Sequence, residues 1–169
     1  IEIDDKAYEQ CVENFEQSPW GDRLFCYHAS LEEFADEIDD QYDLIICNPP
    51  FFSEDYKPKN SQRDLARFQD AMPFNHIIES VLKLLAENGI FSVVIPNKEE
   101  SRFTRIALEF GLFLNKVLHV KGNPSSEVKR SFMSFSFRES EITTDQLTIE
   151  VNRHEYTPEF INLTKDFYL

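Results

Sequence analysis

The sequence predicts an α/β protein whose sheet is mostly parallel, with an antiparallel hairpin at its C-terminal edge. Segments with helical spacing of apolar residues alternate with short apolar runs as far as about residue 120, a pattern typical of parallel sheets covered by helices. Beyond that point, two apolar runs follow each other without a helical segment between them. A chain of 169 residues that is 41% hydrophobic is expected to form a single domain, residues 1–169, around a sizeable core.

Two helices and two strands are predicted in the N-terminal part of the chain. Apolar residues at helical spacing predict a helix over 5–17, which ends at Ser18-Pro19-Trp20-Gly21. A short strand over 24–27 and an acidic helix over 31–38 follow. The next apolar run, 44–47, predicts a strand that is buried in the sheet.

A long loop and a further helix–strand pair occupy the middle of the chain. Residues 52–72 are polar and irregular, which predicts a loop longer than most. Apolar residues at helical spacing predict a helix over 74–85, with Gly89 as its stop signal. The fully apolar run 90–95 predicts a strand that ends at Pro96.

The C-terminal part is predicted to contain two helices and most of the antiparallel structure. One helix spans 99–110 and ends at Gly111, and another begins at Thr157-Pro158, with Thr as N-cap and Pro in the first turn. The predicted strands are 113–120, 131–137 and, at the edge, 147–151.

Composition narrows the classes of protein to which the chain can belong. The formal net charge of −14 counts against a nucleic-acid binder unless the basic residues cluster. No apolar run approaches the length of a membrane span, and no signal peptide is visible. Three cysteines are too few for a disulfide framework, so reduced thiols and a cytoplasmic location are expected. The four histidines are scattered, so no metal site is expected.

The strongest functional motif is Asn48-Pro49-Pro50-Phe51, directly after the strand 44–47. The Asn side chain and the Pro carbonyl groups are hydrogen-bond acceptors, and neither Pro has a backbone N–H. The motif can therefore hold an exocyclic amino group and make its nitrogen lone pair more nucleophilic. Phe51 can stack on the base that carries this amino group, provided that the base is unpaired.

A second candidate site lies at the start of the chain. Ligands of open α/β sheets bind beyond the carboxyl ends of the strands, and Ile1-Glu2-Ile3-Asp4 has the pattern of a strand end. Glu2 can accept hydrogen bonds from ribose hydroxyl groups, and Ile3 can flank an adenine ring. Eight basic residues are candidates for phosphate contacts: Lys57, Lys59, Arg63, Arg67, Lys116, Lys121, Lys129 and Arg130.

These motifs resemble those of class I S-adenosylmethionine-dependent methyltransferases of the Asn-Pro-Pro-aromatic type. Within that superfamily the chain most resembles the bacterial tRNA1(Val) adenine N6-methyltransferases. The closer likeness extends over nearly the whole chain and rests on the following stretches: Ile1 to Asp4, Ser18-Pro19-Trp20, Tyr42 to Phe52, Arg63 to Arg67, Met72-Pro73-Phe74, Tyr156 to Phe160 and Asp166 to Leu169.

The resemblance implies a Rossmann-like sheet and an enzyme that transfers methyl groups. S-adenosylmethionine would be the donor, bound by Glu2 and Ile3, and Asn48 with a Pro carbonyl would hold the target amino group. The target would be the unpaired adenosine beside the anticodon of a valine tRNA. Many relatives have an acid after the third strand to hold the cofactor's amino group; here Ser30 or a backbone group would serve in that region.

The resemblance also implies a glycine-rich turn after the first strand, and the chain contains none. We therefore expect that the chain lacks this first strand, is N-terminally truncated and is inactive alone. Other readings stay open: methylation of a protein glutamine amide, of guanine N2 in rRNA or of DNA adenine. A catalytically silent fragment or interaction module is an alternative of a different class.

Overall fold

The computed structural model describes residues 1–49 and 73–167. In these residues the helices are α1 Asp5–Glu16, α2 Leu31–Glu37, α3 Phe74–Leu84, α4 Glu100–Glu109 and α5 Pro158–Thr164. The strands are β1 Tyr42–Cys47, β2 Leu85–Pro96, β3 Phe113–Lys121, β4 Val128–Ser136, β5 Thr143–Thr148, β6 Glu150–Asn152 and β7 Glu155–Tyr156. The five predicted helices are thus confirmed, whereas the predicted loop 52–72 lies almost entirely outside the described residues.

Side chains of the preceding residue fix the starts of three helices. The Asp4 carboxylate accepts hydrogen bonds from the first turn of α1. Ser30 forms a reciprocal capping box with Glu33 at the start of α2. Thr157 accepts a hydrogen bond from the Phe160 N–H at 3.2 Å and begins α5, as its sequence predicts. Such caps satisfy backbone N–H groups that have no partner inside the helix.

In the described residues the central sheet has five strands, in the order β1-β2-β4-β3-β5. The pairs β1–β2 and β3–β5 are parallel, and β4 runs antiparallel to both of its neighbours. Four strands therefore point the same way and β4 alone is reversed. This confirms the mostly parallel sheet and the antiparallel hairpin β3–β4, with β5 added outside the hairpin as the edge strand.

One face of this sheet carries the hydrophobic core. Phe91 of β2, Phe103 of α4 and Phe135 of β4 are fully buried, and the rings of Phe103 and Phe135 lie 5.6 Å apart. Ile77 and Ile78 of α3 pack into the same cluster. The helices α3 and α4 thereby hold β2, β4 and β3 in fixed positions, including the ends of these strands.

The opposite face of the sheet is open in the described residues. Side chains on this face are about half exposed or more: Leu44 54%, Ile46 76%, Ile90 48% and Phe132 48%. The prediction that 44–47 is a buried strand is therefore wrong, although the strand itself is confirmed. The physical reason is that Leu44 and Ile46 lie on the open face, whereas Ile45 and Cys47 pack against the core on the other face.

Two further predictions need correction. Helix α3 ends at Leu84, five residues before Gly89, and Gly89 lies instead in an irregular stretch of β2. Tyr42 pairs with Leu85 and Leu44 pairs with Ile90, so β2 contains three residues that have no counterpart in β1. A Cβ atom on Gly89 would lie 2.8 Å from the Tyr42 carbonyl oxygen, so close backbone approach explains the glycine.

The predicted strand 24–27 is reduced to one parallel bridge between Glu2 and His28. The Glu2 N–H donates to the Tyr27 carbonyl at 3.0 Å, and the Ala29 N–H donates to the Glu2 carbonyl at 3.2 Å. A single bridge still places the Glu2 side chain beside the segment that leads into α2.

Within the described residues, no helix has the length and apolar character that crossing a membrane requires.

Candidate active site at the carboxyl edge of the sheet

Asn48 and Pro49 lie immediately beyond the carboxyl end of β1. The side chain of Asn48 is exposed, and Pro49 is buried. Because Cys47 pairs with Val93, the neighbouring strand β2 continues three residues past the end of β1, to Pro96. Asn48 therefore lies on a step in the sheet edge, where a ligand can approach its carboxamide. The predicted partners Pro50 and Phe51 lie outside the described residues.

Cys47 is next to this motif but is not suited to be a nucleophile. Burial raises the pKa of its thiol to about 11, and its side chain packs against the core cluster. At neutral pH the thiol is therefore protonated and weakly reactive.

Glu2 forms an acidic site at the end of the N-terminal bridge. Its Oε1 atom accepts hydrogen bonds from the backbone N–H groups of Ile3 at 2.8 Å and Asp4 at 3.0 Å. The described residues place no donor on Oε2, so this oxygen can accept from a ligand. The side chain of Ile3 is 68% exposed and offers an apolar surface next to the carboxylate.

An aromatic pair borders this acidic site. The rings of Tyr8 and His28 are stacked with centroids 4.7 Å apart. His28 Nε2 lies 3.2 Å from the carbonyl oxygen of Ile3 and 3.3 Å from a carboxylate oxygen of Asp5. Through these two contacts His28 connects Ile3, the residue after the bridge, to Asp5 at the start of α1. His28 was not among the predicted site residues, although it precedes Ser30 by only two positions.

Ser30 is held by the capping box of α2. Its hydroxyl donates to Glu33 Oε2 at 2.7 Å and accepts from the Glu33 N–H at 3.2 Å. Contacts with the backbone N–H and then the hydroxyl of Ser30 lower the pKa of Glu33. The hydroxyl therefore already has a donor and an acceptor partner within α2, which leaves one lone pair for any ligand.

Basic residues gather at the same edge of the sheet. Arg130 pairs with Pro96 at the end of β2 and with Val120 near the end of β3, and Lys129 is its neighbour. Lys121, also a predicted phosphate contact, is the last residue of β3. The structure adds one cation that was not predicted, Lys98, two residues beyond β2. The predicted residues Lys57, Lys59, Arg63 and Arg67 all lie outside the described residues.

A polar network joins the ends of β2, β3 and β4. Glu100 Oε2 lies 2.6 Å from Ser131 Oγ, 2.8 Å from His119 Nε2 and 3.2 Å from Asn97 Nδ2. Asn97 Nδ2 also donates to Ser131 Oγ at 3.0 Å. Ser131 is fully buried, and the other three members are partly exposed. The described residues contain no group of three or more acidic, His or Cys side chains that could hold a metal ion.

Comparison with known proteins agrees with a methyltransferase. A family model described as Eco57I restriction-modification methylase matches residues 1–108. A tRNA1(Val) (adenine(37)-N6)-methyltransferase of Flavobacterium johnsoniae is 62% identical over the whole chain, which covers 72% of that protein. The protein of the same name from Flavobacterium psychrophilum is 58% identical with the same coverage. The chain belongs to the tRNA1(Val) (adenine(37)-N6)-methyltransferase family.

A solved structure supports the fold of this tRNA1(Val) methyltransferase family member. The crystal structure of a predicted O-methyltransferase from Agrobacterium tumefaciens aligns with 97% of the chain at a TM-score of 0.68 and 14% identity. The alignment covers 74% of that structure. At this identity the likeness concerns the fold, and it confirms the Rossmann-like methyltransferase sheet.

Sequence reasoning missed the polar network of this family member. The rule that ligands bind beyond the carboxyl ends of parallel strands selected Asn48, and it applies equally to Asn97. Asn97 directly follows the predicted strand end at Pro96, so this signal was available. Glu100, His119 and Ser131 could not be found in this way, because strand register brings them together.

Proposed function

We propose that the protein transfers a methyl group from S-adenosylmethionine to the N6 amino group of an unpaired adenine in tRNA. The adenosine beside the anticodon of a valine tRNA is the proposed target. The observation that carries this proposal is the position of Asn48-Pro49 one residue beyond β1, at the step in the sheet edge. The high identity to tRNA1(Val) methyltransferases supports the same substrate.

The task of the Asn48-Pro49 motif is to hold and activate the amino group. The carboxamide oxygen of Asn48 and a proline carbonyl oxygen each accept one N–H of the adenine. These hydrogen bonds draw electron density toward the nitrogen and fix its lone pair in one direction, which contributes to catalysis by orientation. The neutral thiol of Cys47 places no charge at the end of β1 that would repel the ring.

The chemistry of the Glu2 site fits the nucleoside part of the cofactor. A ribose has vicinal hydroxyl donors, and Glu2 Oε2 is a carboxylate oxygen without a donor in the described residues. Ile3 offers its exposed side chain to the flat face of an adenine. When bound, S-adenosylmethionine supplies an electrophilic methyl group. The role of this chain is then to hold the cofactor and the target on the same sheet edge.

Phosphate contacts are proposed for the basic residues of that edge, Lys98, Lys121, Lys129 and Arg130. Strand register groups three of them, and Lys98 follows the end of β2. Lys and Arg bind phosphate oxygens and release counterions, so affinity for RNA falls with salt. The net charge of −14 therefore does not prevent binding, because these four cations lie together on one edge. The loop cations Lys57, Lys59, Arg63 and Arg67 remain proposed contacts, and a cytoplasmic location follows from the substrate.

The central experiment measures methyl transfer from methyl-labelled S-adenosylmethionine by the complete enzyme, because this chain alone is expected to be inactive. Unmodified valine tRNA transcript, a rRNA fragment, a DNA duplex and a bacterial protein extract are offered separately. We expect label in the N6 position of adenine in the tRNA. Asn48→Ala should abolish transfer, whereas Asn88→Ala, an exposed asparagine near the opposite end of β2, should retain it.

The outcomes separate the proposed function from its alternatives. Label found solely in protein would favour glutamine-amide methylation, and label in guanine or in DNA would favour the other nucleic-acid readings. Absence of label from every substrate, with Asn48 intact and cofactor binding shown by calorimetry, would favour a silent module. Each of these results would overturn the tRNA proposal.

A second experiment tests the basic edge. Removing Lys129 and Arg130 together should lower the dependence of RNA affinity on salt, by about 0.7 in the log–log slope for each phosphate contact that is lost. Arg105→Ala on α4 removes an exposed cation outside this edge and should leave the slope unchanged. Equal slopes for all variants would refute the phosphate contacts.

A further inference from the structure

The network around Glu100 fixes the carboxamide of Asn97 in one orientation. An ionised Glu side chain is solely an acceptor, so the group that faces Glu100 Oε2 at 3.2 Å must be the NH2 group of Asn97. The second contact of that NH2 group, with Ser131 Oγ at 3.0 Å, is consistent because the Ser131 hydroxyl donates its own proton to Glu100. His119 Nε2 must also carry a proton, since it faces the same oxygen.

The consequence is that the amide oxygen of Asn97 is turned away from the network. In the described residues this Oδ1 atom has no hydrogen-bond donor. Both hydrogen bonds of the side chain are made by Nδ2, and the residue is partly exposed. A carboxamide that merely capped α4 would need no such orientation from two partners. The arrangement presents one uncharged acceptor at the edge of the sheet.

Strand register gives the place of this acceptor relative to Asn48. Cys47 pairs with Val93 and β2 ends at Pro96, so Asn97 directly follows β2 and is three residues farther beyond this pair than Asn48 is. A rise of about 3.3 Å per residue and a strand spacing of about 4.8 Å put the two Cα atoms about 11 Å apart. Asn97 is therefore too far away for the same amino group, and it is placed for a neighbouring part of the substrate strand.

The surroundings of Asn97 indicate which part of the strand this is. Lys98 is its neighbour in sequence, and Arg130 pairs with the residue before it. Cations at such spacing suit a sugar–phosphate backbone, whose phosphates are acceptors. The ribose 2′-hydroxyl is the donor that an RNA backbone has and a DNA backbone lacks. An uncharged acceptor between cations is complementary to that hydroxyl.

We propose that Asn97 is a specificity residue that accepts a hydrogen bond from a ribose 2′-hydroxyl next to the target nucleotide. Glu100, His119 and Ser131 act as positioning residues that keep its oxygen outward. This inference rests on the proposed RNA substrate and deepens it, because it assigns the discrimination between RNA and DNA to one side chain.

The test compares substrates that differ from one another in single hydroxyl groups. One is an unmodified anticodon stem-loop of valine tRNA, and the others carry one 2′-deoxy substitution each at the nucleotides that flank the target adenosine. Binding is measured by fluorescence anisotropy and methylation by kcat/KM. The wild-type protein should favour the full RNA over one deoxy variant about 2- to 10-fold, the range expected for one neutral hydrogen bond.

Three substitutions separate specificity from structure. Asn97→Ala should abolish this preference by weakening the full RNA, with little further effect on the deoxy variant. Glu100→Gln should reduce the preference, since a Gln side chain can also donate and no longer fixes the amide of Asn97. The control Asn88→Ala should keep the preference. Melting curves establish that each variant is folded.

The possible results distinguish this inference from the proposed function. If Asn97→Ala weakens the full and deoxy substrates equally, its role is structural and the inference is overturned. If the wild-type protein shows no preference at any flanking position, the inference is likewise overturned. A binding preference that depends on Asn97 without any methyl transfer would uphold the inference and refute the proposed function alone.

Discussion

Replacing Phe135 by Ala should destabilise the sheet that carries the site. Phe135 is fully buried, and its ring lies 6.1 Å from that of Phe91 and 5.6 Å from that of Phe103. Loss of a buried Phe side chain costs about 3–5 kcal/mol in transfer and cavity terms. For a chain of this length, about 4 kcal/mol corresponds to a decrease in melting temperature of about 8–16 °C. Circular dichroism during thermal unfolding measures this decrease.

Phe132→Ala is the matched control on the same strand. Phe132 lies on the opposite face of the sheet and is 48% exposed. Its replacement by Ala therefore loses about half of the free energy of burying a large apolar side chain, which is about 1.5–3 kcal/mol. The free energy of unfolding should therefore decrease by about 1 kcal/mol, because little cavity is formed. A Phe135→Ala cost below about 1 kcal/mol would refute the assignment of the core to the α3–α4 face. Equal costs for both variants would show that the Phe132 face is covered in solution.

Three further predictions concern Cys47, the α2 cap and the β1–β2 contact. With a pKa of about 11, the Cys47 thiol should react with iodoacetamide at pH 8 roughly 200-fold more slowly than an ordinary thiol, and peptide mapping with a urea-unfolded control measures this. Ser30→Ala should lower the free energy of unfolding by about 1 kcal/mol. Contacts with Ser30 lower the pKa of Glu33, so their contribution to stability is present above the pKa that Glu33 has in the unfolded chain and is lost as pH falls through its pKa in the folded chain. The difference in melting temperature between Ser30→Ala and the wild-type protein should therefore shrink in acid. Gly89→Ala should cost about 1–3 kcal/mol by overpacking against a β1 carbonyl, whereas Gly122→Ala, whose nearest neighbour is 3.7 Å away, should melt near the wild-type temperature.

Local pattern was sufficient to predict most of the elements, because their signals lie within a few residues. Gly111 adopts φ +81° directly after α4, and Thr157 caps α5, both as predicted. Gly89 was wrongly predicted to be a stop signal, because glycine also occurs where two backbone segments approach each other closely and not solely in turns. Its reason lies in the carbonyl group of Tyr42, which is distant in sequence and therefore invisible to local pattern.

The candidate site was predictable in part for the same reason. Asn48 and Glu2 each follow an apolar run, and a general rule about strand ends identifies them. The Glu100 network consists of residues from α4, β3 and β4 that meet through strand pairing. Each of these residues has an ordinary structural interpretation when it is considered alone. Long-range register therefore accounts for what sequence reasoning could not find.

The acidic total and the proposed RNA substrate are compatible because charge is distributed unevenly. Carboxylates dominate α1 and α2, where Asp4 and Glu33 are used as helix caps, whereas cations follow the ends of β2 and β3. Exposed charges farther apart than about 8–10 Å are largely screened at physiological salt. A phosphate at the sheet edge therefore responds mainly to Lys121, Arg130 and their neighbours. For the same reason the local edge, more than the net charge of the chain, determines where an RNA strand can lie.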